Sequence, residues 1–131
     1  MHPEYAWTAF RVDALPAAWP RSFIIITGWA TTGEQWTAAA NAAANARLEA
    51  VLGAIGAWSW PITGYSPRTG HAEPGWAVEL DLEAGLSLGR EFVQQAIFEV
   101  VDDLLRVWAC DTDPPDGQLL GRFSSRVGIA A

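Results

Sequence analysis

The chain has 131 residues, half of them hydrophobic and 18% charged, a globular composition with enough apolar material for one core without disulfide or metal staples. Eight basic and fifteen acidic side chains give a formal charge of −7. Phosphate backbones select clustered cations, so no nucleic-acid partner is expected.

Tyr5 to Asp13 alternates loosely and reads as a first strand, ended by Pro16 and Pro20. Phe23-Ile24-Ile25-Ile26-Thr27 is a β-branched run expected to be a strand buried on both faces. Gly28 and Gly33 bracket a loop with Trp29, Thr31 and Thr32. An alanine-rich helix is predicted from Glu34 to about Ile55, with Gly53 and Gly56 at its exit. Ala57 to Ile62 reads as a third strand with Trp58 and Trp60 on one face. Thr63 to Gly75 reads as a long polar loop, punctuated by glycine and proline.

Trp76 to Leu82 is apolar at alternate positions and reads as a fourth strand. Asp81 is then the N-cap of a second helix running from Glu83 to Val93. Gly85 and Gly89 share one face of it, and close backbone packing is the expected compensation for their poor helix propensity. Ala96–Val101 and Leu104–Ala109 form a hairpin turning at Asp102-Asp103. Asp113-Pro114-Pro115-Asp116-Gly117 resembles a linker. The expectation is one α+β domain over residues 1–111, with residues 112–131 as a tail, weakly structured or docked. Its order β-β-α-β-β-α-β-β suggests a mixed or mostly antiparallel sheet with two main helices packed on one face.

The single cysteine, Cys110, excludes an intrachain disulfide and points to a reducing compartment or to indifference to redox. It reads as a small buried residue at a strand end. No signal-like N-terminus is apparent, and no apolar stretch approaches the roughly 20 residues of a membrane span. A cytoplasmic location with no membrane contact is the expectation. Most of the eight tryptophans are expected to supply buried area, the remainder to line a pocket or a partner face.

Candidate chemistry is sparse. Asn41 and Asn45 are four apart on the first helix. Ala44, Leu48, Leu52 and Ile55 fall within about 60° of Asn41 on a helical wheel, so both amides sit in the apolar stripe. A buried unsatisfied amide costs about 1–3 kcal/mol, so they either hold a neighbouring loop or face a ligand. His71 and Glu73, two apart, suit acid–base work. His2 is the sole other histidine, so no metal site is expected, and no cofactor motif occurs. Gln94 or Gln95 faces the core, depending on where the second helix stops.

The run Ile24-Ile25-Ile26-Thr27-Gly28-Trp29, the helix with Asn41 and Asn45-Ala46-Arg47-Leu48, Thr63-Gly64, His71-Ala72-Glu73-Pro74-Gly75-Trp76 and Phe92-Val93-Gln94-Gln95-Ala96-Ile97-Phe98 together resemble a bacterial family of uncharacterised proteins, domain of unknown function 3293. The resemblance covers roughly Tyr5 to Asp111. It departs at Ala30-Thr31, where the family has Asn-Pro, and at Val93, where it has Gly. It implies a shared fold, no stated activity, and Gln94 rather than Gln95 as the inward amide. Thr27, Trp29, Asn41, Asn45, Glu73 and Gln94 are then expected to converge. Two functions fit: a binding or interaction module with an amide-lined pocket, or an enzyme with Glu73 as general acid or base and His71 or Asn41 assisting. Neutral amides and tryptophans without a nucleophile or metal set favour the module. Its partner is a small polar ligand or a protein, and a homodimer is left open.

Overall fold

The computed structural model describes residues 3–29 and 36–130. His2, Thr31, Thr32, Gly33 and Glu34 therefore lie outside the described residues. Pro3–Trp7 is a short 3₁₀ helix rather than the start of a strand. Pro3 pre-sets a helical φ at its first position, and Thr8 N–H closes the turn on the Tyr5 carbonyl at 3.3 Å. The first strand, β1, is confined to Ala9–Val12. Strand β2, Ser22–Ile26, is buried on both faces, as its unbroken apolar run predicts.

Helix α1 spans Ala38–Ile55, starting later than the expected Glu34. Thr37 sets the start: its hydroxyl accepts the Ala40 N–H at 3.0 Å. Gly56, at φ 75°, ends it.

The expected long loop from Thr63 to Gly75 is a correction. Strands β3, Ser59–Tyr65, and β4, Ala72–Val78, form a seven-pair antiparallel hairpin through most of it. Pro74 suggested a break because proline cannot donate to a ladder, and Pro61 lies on the partner strand. Each stands where a flanking strand has run out: the β1 register reaches β3 at Thr63, and the β2 register leaves β4 at Trp76. The missing N–H groups therefore cost no pairing.

Helix α2 spans Leu82–Glu91, with the Asp81 carboxylate accepting the Ala84 N–H at 2.8 Å. It stops two residues short of the expected Val93. Gln94 N–H reaches back to the Gly89 carbonyl at 2.8 Å and Val93 N–H to Arg90 at 3.1 Å, the double bond of a Schellman ending, with Val93 left-handed at φ 57°. Gly85 and Gly89 lie against β2 and β5. A Cβ on Gly89 would meet Cys110 Sγ at 2.7 Å and Ile97 Cγ2 at 2.9 Å.

Strands β5, Ala96–Val101, and β6, Leu104–Ala109, turn through Asp102 and Asp103, both at positive φ. Residues 112–131 contribute β7, Gly117–Arg122, a 3₁₀ turn at Phe123–Ser125, and β8, Val127–Ile129. All eight strands make one mixed α+β sheet in the order β7-β6-β5-β2-β4-β3-β1-β8, with β1–β8 its parallel pair.

Covalent geometry forces this sheet to curl. β7 and β8 are its opposite edges, which a flat sheet would hold about 34 Å apart, at about 4.8 Å per strand. Four residues join them, a reach of at most about 18 Å. Arg126 fastens the seam: its guanidinium donates to the carbonyls of Ala6 (2.8 Å), Thr8 (3.1 Å) and Leu120 (2.9 Å).

Two cores follow. Both helices pack on the outer face, where Leu48, Leu52, Leu86 and Leu88 meet Ile24, Ile26, Val78 and Ile97. The inner face encloses Phe10, Phe23, Ile25, Phe98, Val100, Leu105, Val107 and Phe123. Trp19 and Phe123 fill one end of it, rings crossing edge-on at 5.1 Å, with Trp58 stacked on Trp60 at its flank. Among the described residues no helix is long and apolar enough to cross a membrane.

Candidate functional site: the open end of the curled sheet

Inward positions on neighbouring strands form rows across a sheet. Beside the seam one row reads Phe10–Gly64–Glu73 and the next on the hairpin Ile62–Gly75, then Ala77 further along β4. Gly64 leaves space that large side chains occupy elsewhere in the interior, while Gly75 makes room for the Ile26 backbone. The result is a cavity of about 340 Å³ at the end opposite Trp19. Tyr5, Phe10, Ile25, Ile62 and Phe98 form its floor and walls, and Glu4, Tyr65, Ser66, Thr69, His71 and Gln94 its rim.

Glu73 is the polar group held deepest by a strand. Its side chain is only 15% exposed, whereas His71 is 53% exposed. His71 Nε2 stands 3.7 Å from Glu73 Oε1, too far for a hydrogen bond but near enough for charge attraction. Oε1 is buried with no hydrogen-bond partner among the described residues. Desolvation pushes the Glu73 carboxyl above the ordinary carboxylate range, and attraction to His71 opposes the rise. Gly64, its cross-strand partner, is why the space beside it is open: a Cβ there would meet Thr8 and Phe10 side chains only at ordinary contact distances of 3.5–3.9 Å.

The structure brings Thr27, His71, Glu73 and Gln94 to this cavity and places the other expected residues elsewhere. The Thr27 hydroxyl donates to the Pro74 carbonyl at 2.7 Å and accepts the Trp29 N–H at 3.1 Å, so it ties the end of β2 to β4. Gly75 permits that crossing, because a Cβ there would collide with the Ile26 carbonyl. Gln94 is buried, while Gln95 is half-buried. The Gln94 amide donates to the Trp29 carbonyl at 2.6 Å and the Phe92 carbonyl at 3.3 Å. Trp29 thus anchors Gln94 through its backbone carbonyl without lining the cavity. Asn41 is buried on α1, and Asn45 Oδ1 is buried without a hydrogen-bond partner among the described residues. Both belong to the helix that covers the outer face, against which Gly28 packs at Ala44 and Asn45.

The sequence reading missed Glu4, Tyr5, Phe10, Tyr65 and Phe98 as cavity residues. The signal lay in the alternation Trp58-x-Trp60-x-Ile62-x-Gly64, which continues into the segment that Pro74 disguised. Among the described residues no group of three His, Cys, Asp or Glu could hold a metal ion. Cys110 is buried on the helix-covered face, its thiol pushed up to about 11 by desolvation, and it offers no nucleophile to the cavity.

Residues 26–97, more than half of the chain, match the family described as Protein of unknown function (DUF3293), and the chain belongs to that family. The matched span includes Thr27, His71, Glu73 and Gln94. No curated protein and no solved structure matches the chain.

Proposed function

We propose that this chain is a binding module that encloses a small ligand in the open end of its curled sheet. The carrying observation is Glu73, which lines a largely apolar cavity and whose Oε1 is buried with no hydrogen-bond partner among the described residues. A buried unpaired acceptor costs about 1–3 kcal/mol, a cost that a bound donor removes. Eight-stranded barrels have room for one small ligand when small side chains line part of the interior.

Binding is favoured over catalysis because three of the nearby hydroxyls are engaged in structure. Ser66 Oγ accepts the Arg68 and Thr69 N–H groups, Thr69 Oγ1 accepts the His71 N–H, and Thr27 ties β2 to β4. The His71–Glu73 pair supports a second reading, general acid–base catalysis on a ligand held in the same cavity.

The test is ligand-observed NMR of a fragment library against the wild type and Gly64→Val. Valine suits a strand, and its side chain would fill the space beside Glu73. Fragments that bind the wild type and are lost in a folded Gly64→Val support the module. A wild type that binds no fragment, or hits that survive the substitution, refute it.

A further inference from the structure

Resting on the binding reading above, we propose that the cavity selects a small organic cation: an ammonium group on an apolar body, with the ammonium against Glu73. Three features point the same way. The first is charge. Two carboxylates, Glu4 and Glu73, line the cavity, Glu4 already paired with Arg68 at 3.8 Å, and His71 at the rim is the single basic lining residue among the described residues. An anionic ligand would enter against Glu73.

The second is the wall. The rings of Tyr5, Phe10 and Phe98 surround the space, meeting one another edge-on at 6.2 and 5.2 Å. Aromatic faces carry partial negative charge and attract cations within about 6 Å of the ring centre. This chain already uses that contact: Arg68 lies over Trp7 at 5.3 Å, and Arg11 over the rim residue Tyr65 at 5.2 Å.

The third is the acceptor itself. Glu73 Oε1 is removed from water, and the nearest basic group, His71, stays beyond hydrogen-bond reach at 3.7 Å. An ammonium supplies three donors and a positive charge, so it matches both the orphaned lone pairs and the sign of the site. A neutral alcohol supplies one donor and leaves the charge uncompensated. The volume of about 340 Å³ lies at the small end of ligand pockets, which limits the body to something near one ring and a short chain.

The experiment is isothermal titration calorimetry of the full chain near neutral pH with three probes of one shape: 4-phenylbutylamine, 4-phenylbutanol and 4-phenylbutyrate. The amine should bind the wild type about tenfold or more tighter than the alcohol, with the carboxylate weakest. In Glu73→Gln the amine should lose its preference and fall to within about threefold of the alcohol. Gly64→Val should abolish binding of all three. If the alcohol or carboxylate equals the amine, or the preference survives Glu73→Gln, the cation assignment is overturned and cavity binding stands. If none of the three binds the wild type, or binding survives Gly64→Val, the cavity reading falls with it.

Discussion

Replacing Val93 by glycine should stabilise this protein, although it deletes an apolar side chain. Val93 ends α2 in the left-handed region, at φ 57°. A side chain with a Cβ pays about 1–2 kcal/mol there, and β-branching places valine at the upper end. Glycine avoids that strain but adds about 0.5–1 kcal/mol of unfolded-state entropy. The lost burial is small, since Val93 is 63% exposed. The balance is a gain of about 0.5–1 kcal/mol, or about 2–4 °C in melting temperature for a domain of this size. Both backbone bonds of the ending, from Val93 and Gln94, are retained. Asparagine, which tolerates the left-handed region, should fall between glycine and valine. Calorimetry or urea melts of the three forms would read the order directly. A melting temperature for Val93→Gly at or below wild type would show that the left-handed residue carries no strain, and would refute the reasoning.

Glu73→Gln tests the buried carboxyl through pH. Its folded-state pKa lies above the ordinary 4.5, so the folded state holds that proton more tightly than the unfolded chain. The stability this lends is complete below 4.5 and is lost as pH rises through the folded value. The glutamine variant should therefore gain on wild type as pH climbs above 4.5, then level off; a difference that does not vary with pH in urea melts would contradict the burial. Arg126→Met should cost about 2–4 kcal/mol, because it removes three charge-assisted bonds across the seam; a loss under about 0.5 kcal/mol in the same melts, the size of an ordinary surface change, would deny the clasp. Gly89→Ala should destabilise by about 1–2 kcal/mol, since overpacking against Cys110 and Ile97 outweighs the helix propensity gained; a higher melting temperature would refute that packing. Cys110, buried with its thiol near 11, should react with a thiol reagent only as fast as the protein opens; rapid labelling under native conditions would refute its burial.

What was legible in the sequence was local. The unbroken run of β2, the Asp81 cap, the four-residue spacing of Gly85 and Gly89, and the Asp102-Asp103 turn each act within a few residues. Sequence signals of that range survive folding because nothing distant competes with them. What was not legible depends on neighbours. Pro61 and Pro74 break a strand only where a partner on that side requires their N–H, and whether one exists is decided by where β1 and β2 end. The pairing of β1 with β8 joins opposite ends of the chain, beyond any periodicity. The helix-face asparagines show the same limit: spacing correctly put Asn41 in a buried stripe, but could not say which face of the sheet that stripe covers.

The cavity follows from the same distinction. Glu73 looked like a loop carboxylate because its neighbours Gly70, Pro74 and Gly75 are turn-forming types. In the hairpin those types have other tasks. Gly75 lets β2 cross β4, the Pro74 carbonyl receives Thr27, and Gly64 opposes Glu73 without filling the space beside it. A barrel interior packs shut when large side chains meet from several sides, as Trp19, Phe23 and Phe123 do at one end. It stays open at the other because the row beginning at Phe10 continues through a glycine to a carboxylate. Placing an ionisable group at the blind side of an apolar space costs stability. Packing alone would be better served by an apolar side chain at position 73, and this is the physical ground for assigning the open end to a ligand.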